Sequence, residues 1–360
     1  MRNDLIIAVT ALNATDNPGP GVSVIRAIRH NPDFCGRIIG LAYDSLEPGL
    51  YADGLVDDAY LIPYPSQGRE ALESRLRYIH EQVGLDVVIP TLDSELASFI
   101  GLAPLFDELG IGTYLPTREQ LDMRSKARLT RLGQAADIPV PATRTVSEAR
   151  EMYDIHDDIA YPFWVKGVFY GAKRAQSADE AVRAFHQTVA KWGLPVLVQE
   201  SVDGEEFDVV AVGDGQGGLI GAVPMKKTFL TDKGKGWAGV AIKDPQLLAM
   251  VERFVAATRW RGPFEFEAVK VGEGDYRLVE INPRFPAWVY LSAGAGMNLP
   301  YAAVQLAAGE AVAPMHEYRP GTMFVRIALD QIATMDDFQK IATSGELHRG
   351  QGETPGGNDE

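Results

Sequence analysis

Two short runs in the C-terminal half alternate apolar and polar residues with a period of two: Phe264-Glu265-Phe266-Glu267 and Val279-Glu280-Ile281-Asn282. Between them lies Gly272-Glu273-Gly274-Asp275, a turn sequence. The pattern predicts an antiparallel hairpin with arms Phe264–Val271 and Tyr276–Ile281. Alternate side chains of a strand share a face, so one face of this hairpin is apolar and must be covered. Its other face carries Glu280 and Asn282 together. Glu267, thirteen residues before Glu280, can fall opposite it across the turn. Two carboxylates and an amide oxygen on one face repel as a structural device and suit Mg²⁺, a hard cation that keeps positions open for phosphate and water. The same letters also describe a solvated sheet edge with scattered acids.

The first 115 residues alternate strand and helix signals. Leu5–Val9, Arg37–Ala42, Asp86–Pro90 and Gly110–Tyr114 read as strands, and Val22–His30 and Gly68–Val83 as helices. That alternation predicts an α/β domain with a parallel sheet covered by helices. A helix over Arg118–Ala136 stops at Ile138-Pro139-Val140-Pro141. A strand-rich lobe follows to about residue 225, with strands Phe163–Lys166 and Val196–Glu200, a helix over Ala178–Lys191, and the hairpin Phe207–Val212 with Leu219–Val223. The expected division is 1–115, 116–225, 226–345 and a disordered tail over 346–360.

Composition narrows the function classes. The 360 residues are 46% apolar, enough for sizeable cores, and carry 34 basic against 49 acidic side chains, a net charge of −15. Such a balance argues against a general nucleic-acid or anionic-membrane binder, while a local basic pocket can still hold an anion. The single cysteine, Cys35, excludes an internal disulfide and a cysteine-based zinc site, and fits a reducing, cytoplasmic setting. No apolar run approaches the length of a membrane helix.

Several basic residues stand where an anion would need them. Lys126 precedes the proline-rich boundary, and Lys166 closes the apolar strand Phe163-Trp164-Val165. A lysine ending a buried strand needs a partner, and a triphosphate would be one. Each is equally readable alone as a surface cation. Gln199-Glu200-Ser201-Val202 leaves a strand, with Glu206 beyond it. Gly213-Asp214-Gly215-Gln216-Gly217-Gly218 satisfies the dinucleotide string, yet a strand follows where that fingerprint needs a helix, so it reads as a hairpin turn. Gly19-Pro20-Gly21 has Val24 at the third glycine position. Asp93 and Glu95 either cap a helix or face substrate, and Trp288 and Tyr290 either line an acceptor pocket or belong to the core.

Taken together, these pieces resemble the ATP-grasp superfamily over nearly the whole chain. Their order is an N-terminal lobe like that of carbamoyl phosphate synthetase, a lysine before the prolines, a lysine-ending strand, a G-x-E hinge, and paired carboxylates in Glu280-Ile281-Asn282-Pro283-Arg284. The five-residue offset from Gly262 to Glu267 selects Glu267 over Glu265 in that comparison. The resemblance implies an ATP-grasp fold behind a parallel-sheet (pre-ATP-grasp) domain. It implies that Lys126 and Lys166 contact ATP phosphates, that Gln199, Glu200 and Val202 line the adenine hinge, and that Glu206 holds the ribose. Glu267, Glu280 and Asn282 would bind two Mg²⁺, with Mn²⁺ an alternative. Arg284 would meet the transferred phosphoryl group or acyl phosphate. Lys226 or Lys227, and Lys233 and Lys235 in Lys233-Gly234-Lys235-Gly236, would reach the γ-phosphate or substrate, or form a solvated basic loop. The activity implied is ATP-dependent ligation of a small-molecule carboxylate and amine through an acyl phosphate, by a protein that could form a homodimer. A catalytically silent nucleotide binder of the same fold and an NAD-linked oxidoreductase are the alternatives. Three departures from the family pattern stand out: Gly167 follows the strand lysine, the flap Val168–Ala172 has one glycine beside Tyr170, and Ser125 precedes Lys126.

Overall fold

The computed structural model describes residues 2–14, 17–125, 128–167, 171–231 and 234–349. Its N-terminal domain is built on β1 (Ile6–Thr10), β2 (Arg37–Ala42), β3 (Asp58–Leu61) and β4 (Val87–Ile89), all parallel. These strands are nearly continuous apolar runs, as a sheet covered on both faces requires. Helices Pro20–Arg29 and Arg69–Val83 supply part of that cover. The expected strand Gly110–Tyr114 contributes only one bridge, Gly112 to Val87. The expected helix over Arg118–Ala136 is two described pieces, Arg118–Met123 and Leu129–Ala136.

A small lobe follows, made of β5 (Thr143–Val146), β6 (Phe163–Gly167), β7 (Ala172–Ala175) and β8 (Val196–Glu200) in the order β5-β8-β6-β7, all antiparallel. Helix Ala178–Trp192 packs Ala184 and Phe185 against Phe163, Val165 and Val198 on one face. The opposite face therefore carries Trp164, Lys166 and Gln199, because Trp164 and Gln199 are cross-strand partners.

The third unit is a six-stranded antiparallel sheet of β9 (Glu205–Asp214), β10 (Leu219–Leu230), β11 (Gly236–Ala241), β12 (Arg261–Gly272), β13 (Asp275–Asn282) and β14 (Met323–Val325). Its order is β13-β12-β9-β10-β11-β14. Helix Pro245–Thr258 covers one face through Phe254, against Phe264, Phe266 and Trp260. On the other face Val210, Val212, Val223 and Met225 join Phe285, Trp288 and Met297 in a core that also takes in Val24 and Ile25 of the N-terminal domain. The two large units thus share one hydrophobic core.

Two expected divisions move. The hairpin β9–β10, expected in the small lobe, belongs to the large sheet, and position 225 falls inside β10. Its strands are twice the length of those in the small lobe and bury both faces, which only the larger sheet can do. The expected tail also begins too early. Glu346–His348 forms β15, antiparallel to β3 at the edge of the N-terminal sheet, where Arg75 donates to Gly345 O at 2.8 Å and pairs with Glu346 at 3.3 Å. The rest of the expected tail, from 350, lies outside the described residues.

Gly262, the second residue of β12, has φ +88, and a Cβ there would lie 2.5 Å from Tyr114 O. Both the left-handed backbone and the close approach exclude a side chain. Gly262→Ala is expected to lower unfolding stability by about 1–3 kcal/mol in urea titration, the range for a strained backbone position.

Candidate active site

The hairpin arms set the site. Across β12 and β13, Glu267 stands opposite Glu280 and Glu265 opposite Asn282. Across β12 and β9, Glu267 stands opposite Asp208. Cross-strand partners share a face, so Asp208, Glu267 and Glu280 form one row over three strands. That face of β9 runs from Val212 and Val210 in the interdomain core, through Asp208, to the exposed Glu206. The row therefore lies where the shared core ends and a cleft begins.

Like charges in such a row repel. Lys227 on β10 answers them: its Nζ lies 3.0 Å from Glu206, 3.2 Å from Asp208 and 3.7 Å from Glu267. Its side chain is only 9% exposed, and that of Asp208 only 2%. Burial alone would lower the Lys227 pKa, but Asp208, Glu267 and Glu206 outweigh it and hold the ammonium above its ordinary range. Burial raises Asp208 well above the usual carboxylate range; Glu267 and Glu265 add to this and Lys227 opposes it. Asp208 Oδ1 is buried with no hydrogen-bond partner among the described residues. The neighbouring Lys226 turns to the other face, pairing with Glu205 and lying over the Phe207 ring. Of the two lysines, only Lys227 meets the acid row.

Glu265, set aside in the sequence comparison, has a different setting. It is buried and accepts from Asn282 Nδ2 at 3.0 Å, Arg284 Nη1 at 3.0 Å and Trp288 Nε1 at 2.7 Å. Asn282 Nδ2 also donates to Glu267 Oε1 at 2.6 Å. The amide nitrogen thus faces the carboxylates and leaves the amide oxygen for another partner. Arg284 is gripped from both domains, by Glu265 and by Asp93 at 3.0 Å. Burial would lower its pKa, and those two acids raise it instead. Asp93 therefore lines the cleft, whereas Glu95 is the cap: it is wholly buried and accepts from Leu92 N at 2.8 Å and Thr10 Oγ1 at 2.5 Å.

A cleft of about 400 Å³ is bounded by Asp208, Lys227, Glu267, Arg284, Lys235 and Arg326, and on the N-terminal side by the loop Asn17–Pro20. Arg326 was not anticipated. Its Nε donates to Gly236 O at 3.0 Å and its guanidinium lies 5.4 Å from the Phe324 ring, but among the described residues no carboxylate pairs with it. Burial pushes it down to about 10. It directly follows β14, in an apolar stretch forty-two residues after Arg284, and no local motif marks it.

On the small lobe, Lys166 Nζ donates to Gln199 Oε1 at 2.6 Å, and Gln199 Nε2 donates to Thr143 Oγ1 at 3.1 Å. Gln199 thus presents a buried side chain that orients the lysine. Glu200 is tied to the preceding linker, its N–H donating to Ala142 O at 2.8 Å and its Oε2 accepting from Ala142 N at 3.0 Å. Val202 is half-buried and Glu206 exposed. Trp288 walls the cleft, while Tyr290 lies away from it, under Arg26 at 4.3 Å. Lys126, Lys233 and Tyr170 lie outside the described residues.

The glycine motifs resolve structurally. Asp214 Oδ1 accepts from the N–H groups of Gln216, Gly217 and Gly218, closing the β9–β10 turn. A Cβ on Gly21 would lie 1.8 Å from Thr10 O, so this glycine answers to the packing of its loop on β1.

Residues 194–328 match the family model described as ATP-grasp in the biosynthetic pathway with Ter operon. That span holds every candidate ligand from Gln199 to Arg326. That stretch is similar to an ATP-grasp domain. The chain is 29% identical to a D-alanine–D-alanine ligase of Halorhodospira halophila over 153 residues, 40% of this chain and 48% of that one. It is 26% identical to a phosphoribosylamine–glycine ligase of a Nostoc species over 231 residues, 56% of this chain and 53% of that one. The chain thus spans about half the length of both relatives. The ATP-grasp fold extends further: biotin carboxylase from Campylobacter jejuni, solved as a complex with β,γ-ATP, superposes with a TM-score of 0.70 over 89% of this chain and 75% of that one, at 15% identity. Among the described residues, no helix is long and apolar enough to cross a membrane.

Removing one partner of a buried ion pair strands the other charge. Lys227→Met is expected to lower unfolding stability by about 3–5 kcal/mol. Arg326→Met, which removes a desolvated cation with no carboxylate beside it, is expected to leave stability unchanged or raise it. Denaturant titration of both variants reads the opposite signs.

Proposed function

We propose that this protein is an ATP-dependent carboxylate–amine ligase working through an acyl phosphate. The observation that carries this reading is the cleft in which Asp208 and Glu267 meet Lys227, Arg284 and Arg326, with Glu280 and Asn282 on the neighbouring strand opposite Glu267 and Glu265. The ligases among the sequence relatives support it.

The donor set suits Mg²⁺. Glu267, Glu280 and the Asn282 amide oxygen are hard ligands, too few for an all-protein cage, and Mg²⁺ characteristically takes one or two carboxylates together with substrate phosphates. Among the described residues, no group of three or more His, Cys, Asp or Glu side chains is arranged to hold a metal by itself. When bound, the ion neutralises phosphate oxygens and aligns them for in-line transfer. Asn282 is held for this by its two donations to Glu265 and Glu267.

Lys166, oriented by Gln199, contacts the phosphates from the small lobe, with Lys126 as a second contact. Glu200 and Val202 offer backbone to the adenine edge, the Glu200–Ala142 pairing fixing the height of that link, and Glu206 takes ribose hydroxyls. Lys227 faces the γ-phosphate and Lys235 lines the same cleft; Lys233 is proposed as a further contact to phosphate or substrate. A carboxylate oxygen of the substrate attacks the γ-phosphorus and ADP leaves. The amine nitrogen then attacks the acyl carbon, phosphate leaves, and the nitrogen gives up its proton to solvent. Arg284, locked between Asp93 and Glu265, meets the charge that develops on the transferred group. Arg326, desolvated and lacking an anion of its own, takes the substrate's negative charge.

Glu280→Gln is expected to abolish Mg²⁺-dependent ADP release while leaving the circular dichroism spectrum unchanged. Hydroxylamine added to the wild-type reaction should trap the activated acid as a hydroxamate, detected by mass. ATP binding without ADP release, across a screen of amino acids and peptides as acid and amine, would instead identify a silent nucleotide binder. Full turnover by Glu280→Gln would remove the metal assignment.

A further inference from the structure

Asp93 stands between two arginines. Arg284, which follows β13, donates from Nε to Asp93 Oδ2 at 3.0 Å. Arg124 Nη1 lies 3.4 Å from the other oxygen, Oδ1. Both side chains of this second pair are mostly buried, 21% and 22% exposed. Their contact is an ion pair without a hydrogen bond: Asp93 Oδ1 is buried and has no hydrogen-bond partner among the described residues. Asp93 and Arg284 line the cleft, and Arg124 is not part of its wall. Each partner is anchored independently of the pair. Asp93 begins the helix Asp93–Gly101, whose entry is pinned by Glu95 Oε1, accepting from Thr91 N at 2.7 Å and Leu92 N at 2.8 Å. Arg124 is the C-cap of the helix Arg118–Met123. One turn earlier, Gln120 Nε2 donates to Arg259 O at 2.5 Å, tying that helix to the segment that leads into β12.

Charges alternate along the line Arg124, Asp93, Arg284, Glu265. Without Arg124, two carboxylates would share one guanidinium, an excess negative charge in a mostly buried place. Glu267 lies next to it, accepting from the same Asn282 amide as Glu265. A buried charge left without its partner is destabilising. The excess would have a second effect. An arginine claimed by two acids has little positive charge left for an incoming oxyanion. Arg124 draws on the Asp93 oxygen that Arg284 does not use, and the line then balances.

We propose that Arg124 is a positioning residue for Arg284, acting through Asp93. It keeps Asp93 Oδ2 turned to Arg284 and takes up part of the Asp93 charge, so the Arg284 guanidinium stays oriented and able to meet an anion. Arg124 also stands two residues before Lys126 in the chain. One carboxylate therefore links the segment that carries Lys126 to the arginine that meets the transferred group. That link rests on the ligase reading; the hold on Arg284 does not.

The Arg284 Nε–H resonance of the isotope-labelled full chain reads that hold directly, and Arg284→Lys assigns it by loss of the signal. Arg124→Met is expected to shift this resonance and speed its exchange with solvent, with an unchanged circular dichroism spectrum. Arg124→Lys is expected to restore both, because the contact is an ion pair with no hydrogen bond to lose. If Arg124→Met does not fold, Arg124→Gln is read in the same way. An Arg284 resonance that neither moves nor exchanges faster in the folded neutral variant overturns the proposal, and so does a failure of Arg124→Lys to restore it. With an acid and amine from which the wild type releases ADP, Arg124→Met is expected to lower kcat about ten- to a hundredfold and leave the KM for ATP unchanged. A raised KM for ATP at constant kcat would make Arg124 a nucleotide contact and overturn the proposal. A wild type that releases no ADP with any pair would end the ligase reading, and the resonance alone would then decide the part played by Arg124.

Discussion

The ammonium of Lys227 is the interaction on which the cleft depends. Asp208, Glu267 and Glu280 stand side by side across three strands because the sheet register puts them there. A row of acids at the rim of a hydrophobic core is tolerable only if a buried cation sits among them. Lys227, in contact with Asp208, Glu267 and Glu206, is that cation. The opposite face of the same strands is packed by Phe264, Phe266, Leu278 and Ile281, and this packing is what holds the acids in place. Stability is thus drawn from one face of the sheet and held as electrostatic tension on the other. Under the proposed ligase reading, a site that receives cations and phosphate together has use for such tension.

The second constraint is the grip on Arg284. One of its acids, Asp93, opens a helix of the N-terminal domain, and the other, Glu265, belongs to the large sheet. The arginine is therefore positioned only while the two units share their core of Val24, Ile25, Val210, Met225 and Trp288. Trp288 serves both purposes, filling that core and donating to Glu265. The N-terminal domain in this sense is part of the cleft wall. β15 returns from the far end of the chain to close its sheet edge.

The cations of the cleft are not equivalent. Lys227 and Arg284 arrive with their counter-charges and are raised in pKa; Arg326 arrives with a carbonyl and an aromatic ring and is depressed. The first two are balanced within the protein; the third has no carboxylate partner among the described residues, and under the proposed function a substrate anion balances it. That difference separates residues that build the cleft from one poised to meet its contents.

Much of this was legible in the chain itself. The alternation around Glu267 and Glu280 determined a hairpin and, through its period of two, which residues would share a face. The βα alternation determined the parallel N-terminal sheet, and the strand position of Lys166 marked it as a lysine in need of a partner. Those are local facts, set by backbone geometry over a few residues. What only the tertiary structure decided is everything that depends on register between distant strands. It placed Asp208 beside Glu267, sent Lys227 inward and Lys226 outward, and turned Glu265 into a clamp for Arg284, Asn282 and Trp288. It moved β9 and β10 into the large sheet, and it brought Arg326 to the cleft from a segment with no motif. A one-residue slip of a strand exchanges its two faces, so such neighbours are specified by the whole sheet and its cores, not by any segment alone.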